Sequence, residues 1–200
     1  MAVAGLFIIL FLMVHLGINF FLLIDDPVPF NSAAHFMATN IIVKVFEVVL
    51  MAGFLIHMIW GVVLQIQNWV ARPKRYKRTS SSQTSFFSKY MIYLGIIIAV
   101  FLFIHFMNFY FVKLGLVEGD HENFHLMANN LFHLPLYVVI YLVSFLFLAF
   151  HLHHAFQSAF QTLGLNHNKY TPVIKGIGLI YSIIVPLGFS IIPIVIYFFK

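Results

Sequence analysis

Cysteine is absent from the 200 residues. That excludes disulfides, thiolate metal sites and cysteine-ligated iron–sulfur clusters from the chain itself. Charge is nearly as scarce: Asp, Glu, Lys and Arg make up 8% of the sequence, against roughly 25% in an ordinary soluble domain. So few solvated side chains cannot cover a globule, and a disordered chain is excluded because it needs low hydrophobicity and high charge. Acids are rarer than bases, 6 against 11, and the net charge is +5. A pI near 9.5 can signal nucleic acid. Here the bases are few and lie in connections between apolar runs, so no nucleic acid partner is expected. No segment shows the roughly ten-residue apolar–polar alternation of a membrane barrel, and no repeat or low-complexity tract stands out beyond Thr79–Ser82. What fills the chain is apolar: 62% hydrophobic residues, 25 of them Phe, with a mean hydropathy of +0.98. This is the composition of an integral membrane protein, read as a single domain over residues 1–200.

A helix that crosses about 30 Å of hydrocarbon needs roughly 20 mostly apolar residues. Five runs qualify, at about 2–24, 41–64, 90–112, 134–156 and 176–199, which predicts an all-α bundle of five transmembrane helices. The first lacks the basic start of a signal peptide, is too long for one, and ends in Asp25-Asp26-Pro27 instead of a cleavage site. It is read as a retained helix. Charge asymmetry orients the bundle. The connection 65–89 holds Arg72, Lys74, Arg75, Lys77, Arg78 and Lys89 without an acid, and 157–175 adds Lys169 and Lys175. The connection 25–40 has two acids and no base, and 113–133 has Glu118, Asp120 and Glu122 against Lys113. The expectation is a cytoplasmic N-terminus and Lys200 outside.

Polar residues at membrane depth are costly and are functional candidates by default. Four runs carry a histidine well inside, His15, His57, His105 and His151, and the fifth carries none. His15 and His105 lie toward the outer side, His57 and His151 toward the inner side, each roughly 12–15 Å from its edge at the helical rise. The first and third spans thus supply one pair at equal depth, the second and fourth another. Two histidines at one depth can hold a metal or a haem iron from opposite sides, as bundle cofactor sites are built. A flat macrocycle also needs room one turn from a ligand. His57 has Gly53 and Gly61 four residues either side, and His151 has Ala155 four residues on. Small residues also occur wherever membrane helices approach closely, and a single histidine reads equally well as a hydrogen-bonded bundle residue; four in two matched pairs do not. His154 projects within about 60° of His151 and His153 nearly opposite, so spacing does not choose between His151 and His154. His35, His121, His125, His133 and His167 fall in connections and read as solvated. The histidine boxes of di-iron desaturases are a poor match, because His121 and His125 lie on one side of the membrane and His153 and His154 on the other.

Several stretches resemble a known family. They are Met1-Ala2-Val3-Ala4-Gly5-Leu6-Phe7 leading to His15-Leu16, Ala34-His35-Phe36-Met37, Gly53-Phe54-Leu55-Ile56-His57, and Ala71-Arg72-Pro73 with Tyr76. The strongest runs from His151-Leu152-His153-His154-Ala155-Phe156 through Gln157-Ser158-Ala159-Phe160-Gln161-Thr162-Leu163-Gly164. Across almost its whole length the chain resembles the five-helix, di-haem cytochrome b subunit of succinate:quinone oxidoreductases (succinate dehydrogenases and fumarate reductases), in the form found in Bacteroidetes. The resemblance implies two haem b groups, with His15 and His105 on the distal iron and His57 and His151 on the proximal iron nearer the cytoplasm. It selects His151 over His154 through Ala155. Two departures stand out. The chain begins almost inside its first helix, where relatives carry a short basic segment, a difference that a clipped N-terminus would explain. Ala149 replaces a glutamate that some di-haem fumarate reductases carry, which argues against a proton route through that acid.

The resemblance implies electron transfer between an iron–sulfur subunit and a membrane quinone, menaquinone by family likeness, in a bacterial cytoplasmic membrane. No flavin motif is present, so dicarboxylate chemistry belongs to a flavoprotein subunit. That subunit and the iron–sulfur subunit are expected on the basic cytoplasmic face, with pairing of two complexes as a further expectation. Arg72, Lys74, Arg75, Lys77 and Arg78 are candidates for docking or for haem propionates, or mark topology alone. A quinone site needs a hydrogen-bonding group at the membrane edge. Lys44 and Glu47 are the charged residues of the second span, spaced to pair, and Glu47 is the candidate for quinone chemistry. An interfacial ion pair is the plainer alternative. Ser85, Ser88 and Lys89 are candidates for an inner quinone site. Two other classes keep part of this pattern: the di-haem anchor of a hydrogenase or formate dehydrogenase, and a haem-free transporter or scaffold.

Overall fold

The computed structural model describes residues 1–71, 86–120, 122–165 and 167–200, leaving aside the side chains of 86–89. Among them there is no strand. Helix α1 spans Ala2–Asn19 and tightens into a 3-10 turn over Phe20–Leu23, α2 spans Val28–Thr39, and α3 Ile41–Val70. Helix α4, Phe86–His105, continues through a π turn, Phe106–Tyr110, into α5, Phe111–Lys113. After α6, Phe124–Phe132, come α7, Pro135–Thr162, and α8, Thr171–Phe199. Local chemistry sets the starts. The Asn40 side chain accepts from the amides of Ile42 and Val43 at the head of α3, and Asn123 does the same for Leu126 in α6, each satisfying amides that the first turn leaves unpaired. Pro135 and Pro172 fall in the first turns of α7 and α8, where a missing N–H costs nothing.

Among the described residues five helices are long and apolar enough to cross a membrane, and the protein is a multi-pass membrane protein. Four ends differ from the hydropathy reading: the second span continues to Val70, the third helix already starts at Phe86, the fourth span continues to Thr162, and the fifth begins at Thr171. Polar residues at these ends, such as Gln65, Gln157 and Gln161, lower the hydropathy but are good helix formers. The chain segments 25–40 and 113–133 are also more than connections. They contain α2 and α6, which cap one end of the bundle and pack against each other.

Close packing joins α1 to α3, α3 to α4, α4 to α7 and α7 back to α1, so these four helices stand at the corners of a square. Helix α8 packs along α7 and α1. The larger core lies toward the α2/α6 end and includes Leu16, Leu22, Phe132, Tyr141, Phe145, Phe189 and Ile196. Helices approach closely there at Gly188, where a Cβ would sit 2.8 Å from Leu16 Cδ2 and displace that side chain. By contrast, α3 buries Leu50 and leaves Ile41, Val45, Val48 and Trp60 exposed, as a lipid-facing helix can. The two chain ends sit at opposite ends of the bundle. The Met1 methyl lies 3.5 Å from where a Gly61 Cβ would be, while Lys200 Nζ pairs with Asp25 at 3.0 Å and donates to the Leu22 carbonyl.

Candidate functional site

The four intramembrane histidines meet in two pairs across the diagonals of the square. His15 of α1 faces His105 of α4, ring centroids 5.8 Å apart and planes at 82°. His57 of α3 faces His151 of α7 at 6.3 Å and 68°. Neither α1 and α4 nor α3 and α7 are among the closely packed helix pairs, so each histidine reaches inward across the bundle. A metal–imidazole bond of about 2 Å on each side would put two ring centroids roughly 6 Å apart, and both separations fit. The pairs are stacked along the bundle. Tyr141 touches the first pair and His151, ten residues on in α7, belongs to the second; Gly5 touches His57 and His15 is ten residues on in α1. Each offset corresponds to about 15 Å of helical rise.

The surroundings of the pairs differ. Around His15 and His105 the wall is aromatic: Phe11 stacks on His15 at 5.2 Å, Phe189 lies 5.7 Å from the same ring, and Phe101 and Phe109 lie 6.0 and 5.3 Å from His105. Such a wall excludes water. Its polar exceptions are Asn19, whose amide reaches within 3.4 Å of His15 Nδ1, and Tyr141, whose hydroxyl is 3.3 Å from His105 Nδ1. At the other pair the Nδ1 atoms of His57 and His151 are buried without a hydrogen-bond partner. Buried polar atoms are seldom left so.

Of the small residues expected to make room, Gly53 and Gly61 face α1: a Cβ there would be 3.8 Å from Phe7 and 3.5 Å from Met1. Ala155 is half-buried one turn beyond His151. The glycine that lies against the His57 ring is Gly5, where a Cβ would sit 3.5 Å from Cε1 and 3.6 Å from Nδ1. Position 5 has no internal signal, because its partner lies on another helix. Between the two histidines that spacing left open, the structure turns His151 toward His57, while His154 is half-buried and His153 exposed.

Two expectations are corrected. Glu47 does not pair with Lys44. It accepts a hydrogen bond from Lys113 Nζ at 2.6 Å, both side chains largely buried, with the Lys113 ammonium 5.6 Å from the Tyr110 ring. Lys44 is exposed on α3; an interhelical partner inside the bundle outcompetes an exposed one, where an ion pair is weak. His125 is not solvated but buried: its Nε2 lies 3.3 Å from the Ile24 carbonyl, its backbone amide donates to Asn31, and Asn129 lies against its Nδ1. It ties α6 to α2 and to the end of α1, a structural duty. Ser85 and the cluster Arg72, Lys74, Arg75, Lys77 and Arg78 lie outside the described residues, as do the side chains of Ser88 and Lys89.

Among the described residues no three His, Asp or Glu side chains converge as a metal site. A site made from protein ligands alone takes three or four of them, whereas a macrocycle that supplies its own equatorial donors needs only an axial pair. No family model, no curated protein and no solved structure matches the chain.

Proposed function

We propose that this chain is the di-haem cytochrome b membrane anchor of a succinate:quinone oxidoreductase, passing electrons between an iron–sulfur subunit and membrane quinone. The observation that carries the reading is the two diagonal histidine pairs at metal-bridging separation, stacked along one membrane bundle. The assignment of the enzyme class rests on the sequence resemblance.

Haem bound at each pair supplies one-electron chemistry at a potential set by axial ligand, burial and hydrogen bonding. The work of the chain is to hold and insulate. His15 and His105 bind from α1 and α4, and His57 and His151 from α3 and α7. Phe11, Phe101 and Phe189 exclude water from the first pair. Glu47, ten residues before His57 on α3 and so about 15 Å along the axis, lies toward the His15/His105 end of the bundle, beside Lys113. Its carboxylate, held by Lys113, is the group proposed to hydrogen-bond the quinone and exchange its proton. By the positive-inside rule the chain start and the basic connection 65–89 are read as cytoplasmic, and the sequence resemblance makes this the face, in a bacterial membrane, on which flavoprotein and iron–sulfur subunits are proposed to dock.

The test is a dithionite-reduced minus oxidised visible spectrum of protein purified from its native membrane, with haem quantified per polypeptide. Two b-type haems per chain are expected, along with copurifying flavoprotein and iron–sulfur subunits. Absence of haem would overturn the electron-transfer reading; haem with hydrogenase or formate dehydrogenase subunits would reassign the complex.

A further inference from the structure

Tyr141 is the polar side chain buried most deeply beside a histidine pair, with 3% of its surface exposed. Its ring is held edge-on by Phe101 at 4.9 Å and Phe132 at 5.0 Å. Its hydroxyl lies 3.3 Å from His105 Nδ1 and accepts from Asn108 Nδ2 at 3.1 Å. Asn108 sits in the π turn that begins directly after His105, and such turns are rare and frequent at functional sites. Nothing equivalent occurs at the other pair, where both Nδ1 atoms lack a partner.

We propose that Tyr141 is the positioning residue of His105: its hydroxyl oxygen accepts the Nδ1 hydrogen, fixing the tautomer that leaves the Nε2 lone pair free for iron. The inference rests on the haem reading above. An imidazole ring ligates through one nitrogen while the other keeps its hydrogen, and the acceptor of that hydrogen sets the ring's orientation and raises its basicity. Asn108 holds the same oxygen from the π turn that follows α4, so both partners of the phenol reach it from the α4 side of the α4–α7 contact. A more basic ligand stabilises the oxidised iron more than the reduced iron. By accepting the Nδ1 hydrogen, Tyr141 would lower the potential of a haem held by His105 and leave one held by His57 and His151 unchanged.

The experiment is an optical redox titration of the purified complex with Tyr141→Phe, a change that keeps the ring packing and removes the hydroxyl. The expected result is two haems per chain, one midpoint unchanged, and the other raised by about tenfold in the one-electron equilibrium, about 59 mV. Should that variant yield too little folded protein, Asn108→Leu frees the hydroxyl from its second partner and is expected to shift the same midpoint in the same direction by less. Unchanged midpoints, or equal shifts of both, with two haems retained would overturn the role of Tyr141 and leave the haem reading standing. A wild-type protein without haem would remove that reading and this inference with it.

Discussion

At the residue scale the two histidine pairs are chemically unequal. His15 and His105 are walled by aromatic rings and reached by Asn19 and Tyr141, whereas His57 and His151 have bare Nδ1 atoms. Loss of either member of a pair should therefore act on that pair alone. On the proposed haem reading, His57→Ala and His151→Ala are each expected to reduce haem from two to one per chain and to remove the same spectral component; His15→Ala and His105→Ala should remove the other. Pyridine haemochrome quantification with low-temperature spectra checks this, and a loss that does not sort by pairs would refute the diagonal assignment. Gly5 gives a finer probe. An added methyl meets the His57 ring at ordinary contact distance, so Gly5→Ala should keep both haems. Gly5→Leu overfills the same space, a change that costs roughly 1–3 kcal/mol in a packed interior, and should weaken only the His57/His151 haem.

At the element scale, the contacts that hold helices together sit mainly near the α2/α6 end. There Glu47 of α3 meets Lys113 of α5, and Asn31, Asn123 and His125 tie α2 to α6. Breaking a buried ion pair by removing one partner leaves the other charge uncompensated. Glu47→Gln and Lys113→Met are each expected to cost roughly 1–3 kcal/mol, with the double variant costing less than the sum. Unfolding of the detergent-solubilised protein measures this cycle, and strict additivity would show that the two residues do not interact. If Glu47 also serves quinone chemistry, Glu47→Gln should slow quinone turnover while both haems remain. The expected Lys44 partner was reasonable from i, i+3 spacing within one helix. A partner 66 residues away is invisible at that range.

At the scale of the whole molecule, α8 carries no histidine and yet supplies much of the core through Val185, Phe189, Ile192 and Ile196. It braces α7 and α1, whereas α3 leaves most of its apolar surface to lipid. The orientation of this bundle is open to direct measurement because the chain has no cysteine of its own. A single cysteine at Glu122, exposed at the α2/α6 end, should react with a membrane-impermeant maleimide in intact cells. One at His167, exposed at the opposite end, should react only after the cytoplasmic side is opened. The reverse pattern would place the basic connections outside.

Membership of the membrane class, five crossings and the equal depths of His15 with His105 and of His57 with His151 were determined by the sequence alone. Hydropathy and rise per residue are one-dimensional quantities, readable along the chain without knowing how helices turn. What only the tertiary structure decided is rotation and partnership: Gly5 against the His57 ring, Glu47 on Lys113, His125 buried. These helices are apolar on nearly every side, so no amphipathic stripe marks which face turns inward. The inward face is chosen by packing between helices distant in sequence, and that is where the paired geometry of the site resides.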